Sequence, residues 1–139
     1  MNDRFKFRVW DNIHKRYIYC DFAGYCSVDY LGKGEKRIVF MPSGVEQIKN
    51  GKPLLYAKED EAKIEQCTGL KDKNGKLIYE GDIVKLSSDR EVVCSVVWDN
   101  EETGFCVEYK KELYRFNTYR KYHLIEVIGN IHENKDLVK

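Results

Sequence analysis

The chain has 139 residues, which is enough for one domain or for two small lobes that share a core. Charged residues make up 34% of it and nearly cancel to a formal net charge of +1, which excludes capture of nucleic acid by a uniformly basic surface. The apolar fraction of 42% is sufficient for a core, and no apolar run is long enough to cross a bilayer. With only 2 Pro and 10 Gly, low-complexity disorder is not expected either.

The cysteines and the first residues indicate a reducing compartment. The five cysteines show no CxxC spacing, and the start of the chain lacks the apolar core of a signal peptide. We therefore expect reduced thiols and a cytoplasmic location. Cys94 lies among four valines, so we expect it to be a small core residue.

Residues 1–64 predict a β-rich N-terminal lobe that begins with a hairpin. Apolar and cationic side chains alternate over residues 4–10, which is typical of a half-buried strand, and residues 17–22 follow a turn as its partner. Two more strands are predicted over residues 25–31 and 37–41.

The outward side chains of the first strand are expected to be Arg4, Lys6 and Arg8. They either extend a basic patch or form the solvent-exposed face of an edge strand, where cations oppose edge-to-edge aggregation. Trp10 shares the face of Arg8, so we expect it to be partly exposed, or buried by a neighbouring lobe or subunit. A Trp flanked by Arg is a common interface anchor, which makes Arg8 and Trp10 a candidate interface.

The middle of the chain carries weaker signals. Residues 42–53 contain turn signals that are compatible with a helical turn or a ragged strand, and residues 58–64 form a charge run. We expect that run to be a short helix or a solvated connector between the lobes. The pattern does not determine the structure of residues 41–64.

Residues 65–139 predict a small SH3-like β-barrel. The Asn74-Gly75 pair favours a type I′ turn, because both central residues of that turn need positive φ. Short strands then recur about every ten residues with turns between them, which is typical of a barrel or sandwich. The predicted strands cover residues 68–71, 77–79, 83–86, 91–98, 105–109, 113–116 and 125–132.

The chain as a whole is therefore expected to be mainly β with little helix, with an N-terminal hairpin lobe followed by the barrel, or with both folded as one unit. The apolar face of the strand over residues 91–98 predicts that Trp98 lies in the core. Gly129 in the last strand predicts a bulge or a close backbone approach, and the tail from Asn134 is expected to fray.

Three stretches carry a resemblance to a known family. Residues 7–11 read FRVWD, residues 66–84 read QCTGLKDKNGKLIYEGDIV, and residues 126–134 read EVIGNIHEN. In this order and with these spacings, the chain resembles the YopX family of small proteins encoded by phages and prophages. The signature residues in the long middle stretch are Thr68, Gly69, Asn74, Gly75, Tyr79, Gly81 and Asp82.

The resemblance implies a mainly β protein of unknown function, made inside an infected bacterium and thus cytoplasmic in the host cell. It implies no catalytic residues, because the family has none assigned. At position 67 this chain has Cys where the family pattern has Tyr, which argues against Cys67 as a required nucleophile.

Residues 109–123 interleave five Lys or Arg with five aromatic residues. Such mixtures bind single-stranded nucleic acid, because cations follow the backbone while aromatic faces stack on bases. The alternative is a β-hairpin whose tyrosines cover the core and whose cations face water. The candidate nucleic-acid-binding residues are Lys110, Lys111, Tyr114, Arg115, Tyr119, Arg120, Lys121 and Tyr122.

Signals for chemistry are weak throughout the sequence. His14, His123 and His132 lie at no ligand spacing from one another or from a cysteine, so no metal site is predicted. The acids Asp72 and Asp82 fall in turns, where Asp usually bonds its own backbone. No cofactor motif and no pairing of a nucleophile with a base is present, so we expect no cofactor and no enzyme activity.

The leading prediction is a non-enzymatic phage or prophage accessory protein that acts through protein–protein contacts and self-associates as a homo-oligomer. Its other partners are expected to be host or phage proteins, with no membrane involved. The alternative is a nucleic-acid-binding β module that uses residues 109–123. A small-molecule enzyme is the third class, and it requires a concave polar pocket with convergent titratable groups.

Overall fold

The structure is a computed structural model that describes residues 6–20, 25–30, 36–41, 55–58, 62–87, 90–116 and 124–138. The chain divides into two compact units, Met1–Gln66 and Cys67–Lys139. The described part is mostly antiparallel strand, which confirms the mainly β fold class. Its strands are β1 (Phe7–Asp11), β2 (Arg16–Cys20), β3 (Tyr25–Tyr30), β4 (Lys36–Met41), β5 (Leu55–Lys58), β6 (Ala62–Lys71), β7 (Leu77–Tyr79), β8 (Asp82–Ser87), β9 (Glu91–Asp99), β10 (Gly104–Tyr109), β11 (Glu112–Arg115) and β12 (Leu124–Asn130).

The N-terminal unit contains the predicted hairpin. β1 pairs with β2 on one side and with the start of β6 on the other, so that Val9 lies opposite both Ile18 and Ile64. The strands β3, β4 and β5 form a second antiparallel sheet, which confirms the strands predicted over residues 25–31 and 37–41.

The charge run of residues 58–64 is not a helix where the structure describes it. Lys58 ends β5, and Ala62 already begins β6. The prediction of a helix or connector is therefore wrong for residues 62–64, because these residues pair with β1, a partner that lies far away in the sequence. The predictions for residues 42–53 fall outside the described residues.

The C-terminal unit contains the five-stranded sheet that the strand spacing predicts. Its order is β11-β10-β9-β8-β12, so the last strand returns to pair with the first, and the sheet curls into a half-barrel. Opposite residues of antiparallel strands share a face, so the register assigns one inner and one outer face to this sheet. The inner-face core and the residues beside it are Ile78, Val84, Leu86, Cys94, Val96, Val107, Phe116 and Ile125.

Cys94 is buried in this core, as predicted, but Trp98 is not. Trp98 is 41% exposed and meets the Phe105 ring edge-on, at a ring-centroid distance of 5.0 Å. The prediction that Trp98 is a core residue is wrong because the residue lies one position from the end of β9, where the covered part of the inner face stops.

The end of the chain holds the predicted bulge. The pairing of β12 with β8 shifts register between Val127 and Gly129, which confirms the irregularity expected at Gly129. The tail does not fray from Asn134 as predicted, because a 3₁₀ helix follows over Lys135–Val138. The Asn134 side chain helps to hold that segment, since its Oδ1 accepts a hydrogen bond from the Asn130 amide at 3.1 Å.

Candidate functional site

The signature hairpin between β6 and β7 is closed by one buried carboxylate. Asp72 Oδ1 accepts hydrogen bonds from the amides of Asn74 at 2.8 Å and Lys76 at 2.9 Å. Asp72 Oδ2 accepts another from the Val127 amide at 3.0 Å. Burial acts to raise the pKa of Asp72, but these three amides together outweigh it and hold the pKa below its ordinary value.

The turn itself differs from the predicted type I′. Of the two central residues, only Gly75 has positive φ, at 81°. The Gly75 amide donates to the Asp72 carbonyl at 3.0 Å, and the Asp72 amide donates to the Lys76 carbonyl at 2.8 Å. The side-chain cap supplied by Asp72 selects this longer loop, so the Asn74-Gly75 pair does not form a two-residue turn.

Thr68 and Asp82 also bond the backbone around them. The Thr68 hydroxyl donates to the Ile78 carbonyl at 2.8 Å and accepts from the Leu70 amide at 3.1 Å. Asp82 Oδ2 accepts from the Tyr79 amide at 2.8 Å, and Asp82 is 2% exposed. Both side chains therefore stabilise the hairpin and the bend that follows it.

Gly81 joins three segments of the C-terminal unit through its backbone. Its φ is 85°, a value that favours glycine. The Gly81 amide donates to the Val96 carbonyl at 2.8 Å, and the Gly81 carbonyl accepts from the Ile131 amide at 2.9 Å. Gly69 has a similar φ of 81°, so the signature contains two glycines in the left-handed region besides Gly75.

Arg8 and Trp10, the candidate interface, are both buried, with 3% exposure each. Arg8 Nε donates to Glu65 Oε2 at 2.8 Å, and the Arg8 guanidinium lies 4.0 Å from the centre of the Tyr17 ring. The Trp10 ring meets Tyr17 edge-on at 4.9 Å. The expectation of an outward Arg8 is wrong, and so is the first of the two alternatives for Trp10, partial exposure, because Glu65 and Tyr17 cover this face of β1.

The first turn is organised by Asp11, which is fully buried. Its Oδ1 accepts from the Ile13 amide at 3.0 Å and its Oδ2 lies 2.6 Å from His14 Nδ1. Burial acts to raise the pKa of Asp11, but the bonds from His14, Arg16 and Ile13 outweigh it and lower that pKa. Like Asp72 and Asp82, this acid supports a turn of the fold.

The structure divides the predicted nucleic-acid-binding residues into different environments. Lys110 and Lys111 form the turn between β10 and β11 and are exposed. Tyr114 packs against the core while its hydroxyl donates to Glu112 Oε2 at 2.7 Å, and Arg115 forms an ion pair with Glu102. The remaining four, Tyr119, Arg120, Lys121 and Tyr122, lie outside the described residues.

The lysine turn has an unusual backbone. Lys110 has φ of 51° and Lys111 has φ of 67°, so two successive residues with side chains occupy the left-handed region. The Lys110 ammonium lies 5.2 Å from the centre of the Tyr109 ring. The alternative of a β-hairpin with outward cations holds for the described residues of this segment, but the positive φ values of the turn were not predicted, because a turn of this kind is normally recognised by Asn-Gly or Gly-Gly.

A pocket of about 280 Å³ opens beside the lysine turn. It lies on the outer face of β9 and β10, and the C-terminal 3₁₀ helix contributes one wall. Ser95 is its most buried residue, at 8% exposure. The pocket is lined by Val93, Ser95, Glu108, Tyr109, Lys110, Lys111 and Val138.

The described ranges offer neither a metal site nor a membrane-spanning helix. No group of three or more His, Cys, Asp or Glu side chains there could hold a metal ion. No described helix has the length and apolarity needed to cross a membrane. Burial raises the pKa of Cys94 to about 12, so this thiol stays protonated and unreactive at neutral pH.

Comparisons with known proteins agree with this architecture. A family model described as YopX protein matches residues 6–139. The crystal structure of protein yopX from Bacillus subtilis is similar at 26% identity and a TM-score of 0.62, with 100% of this chain and 98% of that chain covered. Protein EF1440 from Enterococcus faecalis is similar in fold at 24% identity and a TM-score of 0.58, with 96% and 97% covered. No curated protein matches the chain. Since the family model spans nearly all of the sequence, the chain belongs to the YopX family.

Proposed function

We propose that this chain is a non-enzymatic phage or prophage accessory protein of the bacterial cytoplasm, which acts through protein–protein contacts and self-associates. The observation that carries the proposal is the exposure of large apolar side chains on the outer face of the C-terminal sheet. Leu113 on β11 is 48% exposed and Leu124 on β12 is 65% exposed. Large apolar patches are typical of surfaces that another protein covers, and the two leucines are the exposed apolar side chains from which such a patch is proposed.

The buried acidic side chains support the non-enzymatic part of the proposal. Asp11, Asp72 and Asp82 each accept hydrogen bonds from the backbone of their own turn. Glu65 is paired with Arg8. Carboxylates held in this way stabilise the fold and are poorly placed to transfer protons to a substrate.

Self-association is tested by light scattering on the full chain over a range of micromolar concentrations. We expect a mass that rises above the monomer value of 16.4 kDa with concentration. The double variant Leu113→Lys, Leu124→Lys should return the mass to that of the monomer, because it places charge on the outer face. Ile13→Lys is the matched control, since Ile13 is 56% exposed in a turn of the N-terminal unit. A single 16.4 kDa species at all concentrations contradicts the proposal.

A second candidate function is favoured by the lysine turn. The Lys110 ammonium lies 5.2 Å from the centre of the Tyr109 ring, and Lys111 adds a second exposed cation in the same turn. Cations next to an aromatic ring are the combination that holds a nucleic-acid backbone beside a stacked base. The test is fluorescence anisotropy with a labelled single-stranded oligonucleotide at low salt. Charge reversal at Lys110 and Lys111 should abolish binding, while Lys15→Glu should leave it intact. Absence of any binding at low salt rejects this candidate.

A further inference from the structure

The pocket beside the lysine turn contains a buried hydroxyl without a partner. Ser95 is 8% exposed and lines the pocket, and no described residue hydrogen-bonds its side chain. Buried polar groups of native proteins are nearly always hydrogen-bonded, so an unpaired one requires an explanation. A hydroxyl on a pocket wall is available to donate to an atom bound there.

The backbone of the turn is a second, independent observation. Lys110 and Lys111 hold φ values of 51° and 67°, where Asn-Gly is the preferred pair. Strained backbone of this kind clusters at functional sites, because the surrounding fold has to maintain it. Here the strained pair also contributes the two lysines that line the pocket.

The charges and walls of the pocket define the ligand that it fits. The lining contains two lysines and one carboxylate residue, Glu108, so it carries a net positive charge. Val93 and Val138 supply apolar surface next to these groups. A volume of about 280 Å³ is at the small end of ligand pockets, which suits a small molecule.

We propose that this pocket binds a small organic oxyanion, either a phosphate monoester or a carboxylate, that carries an apolar group. The oxyanion accepts hydrogen bonds from the Ser95 hydroxyl and from the ammonium groups of Lys110 and Lys111, since charge-assisted bonds of this type are the strong ones. The apolar part packs on Val93 and Val138. Leu113 pairs with Glu108 and therefore lies next to the pocket on the same outer face, but the oxyanion contacts use neither Leu113 nor Leu124.

The experiment uses three probes that share one ring: phenyl phosphate, benzoate and neutral benzamide. Each is titrated into the ¹⁵N-labelled full chain at low ionic strength, and the amide shifts of residues 95, 110 and 111 are followed. We expect saturable shifts with at least one of the anions and none with benzamide. The anion that binds with the higher affinity shows which oxyanion the pocket prefers.

The variant Lys110→Asn, Lys111→Gly separates loss of the site from loss of the fold. It creates the turn pair that the backbone prefers, so the melting temperature should rise while anion affinity falls at least about tenfold. Lys15→Gly is the control for Lys111→Gly, because Lys15 also has positive φ, at 53°, but lies in the N-terminal unit. Lys15→Gly should raise the melting temperature and leave anion binding unchanged.

Ser95→Ala should weaken the binding of the preferred anion. It should not change the melting temperature of the free protein, because the hydroxyl has no partner within the described fold. Three results overturn the proposal. These are equal binding of benzamide and the anions, no shift at residues 95, 110 and 111, and unchanged affinity in the Lys110→Asn, Lys111→Gly variant.

Discussion

The Asp72 carboxylate accepts a hydrogen bond from the Val127 amide at 3.0 Å, although 55 residues separate the two in the chain. Next to it, the Lys73 amide donates to the Ile125 carbonyl at 2.8 Å. The signature hairpin is therefore fastened to β12, the strand that returns to β8. Two of the stretches that carry the family resemblance, residues 66–84 and 126–134, thus meet at this bond.

Replacement of Asp72 by Ala should lower the free energy of unfolding by about 1–3 kcal/mol at neutral pH, because three amides lose their acceptor. The folded-state pKa lies below the ordinary value of 3.8, so this contribution is complete above that pH and disappears as the pH falls through the folded pKa. Urea unfolding measures both effects. The difference between wild type and variant should shrink in acid, whereas Glu101→Ala should change little at either pH. A difference that stays constant below pH 3.8 contradicts the assignment.

Much of the strand layout was predictable because burial with a period of two residues is a local property. The inner face of β9, with Cys94 and Val96, was visible in the sequence alone. So was the irregularity at Gly129, since a glycine inside a strand lacks the side chain that packing requires. Predictions of this kind need only a few neighbouring residues.

The remaining features depend on partners that are distant in the sequence. Arg8 reads as an outward cation until Glu65, 57 residues later, is placed opposite it by the pairing of β1 with β6. Only part of the pocket at Lys110 and Lys111 could be predicted from the sequence. The two cations stand out in the sequence, but Ser95 comes from β9 and Val138 from the C-terminal 3₁₀ helix.

Gly129→Ala should lower the free energy of unfolding by about 1–3 kcal/mol through overpacking. An added Cβ would lie 2.6 Å from Asn134 Oδ1 and 3.0 Å from Asn134 Cβ. Asn134 has little freedom to retreat, because its Oδ1 accepts a bond from the Asn130 amide. Gly104→Ala is the matched control, since the nearest atom to its added Cβ is 3.9 Å away. Equal stability of both variants in urea is the result that contradicts this prediction.

The thiols should differ sharply in reactivity. Three of the five cysteines, Cys67, Cys94 and Cys106, are buried, and burial raises the pKa of both Cys94 and Cys106. A thiol reagent applied to the native protein at pH 8 should therefore label at most two cysteines rapidly. After denaturation it should label all five. Mass spectrometry of the labelled peptides identifies the sites. Rapid labelling of Cys94 in the native protein contradicts its burial.

The buried pair of Arg8 and Glu65 should be strongly coupled. Arg8→Met alone leaves a carboxylate that is fully buried without its guanidinium, and Glu65→Leu leaves the opposite charge, so each should lower the free energy of unfolding by about 3–5 kcal/mol. The double variant should recover most of that loss, because it leaves neither charge buried.

Urea unfolding of the wild type, the two single variants and the double variant completes the thermodynamic cycle for this pair. The exposed pair of Arg115 and Glu102 is the control, since solvent screens it, and Glu102→Gln should leave the urea midpoint nearly unchanged. Additive effects of Arg8→Met and Glu65→Leu are the outcome that excludes a direct interaction. Strong coupling instead means that the N-terminal unit is specified by a charge pair inside it, in addition to the apolar contacts of Val9 and Ile18.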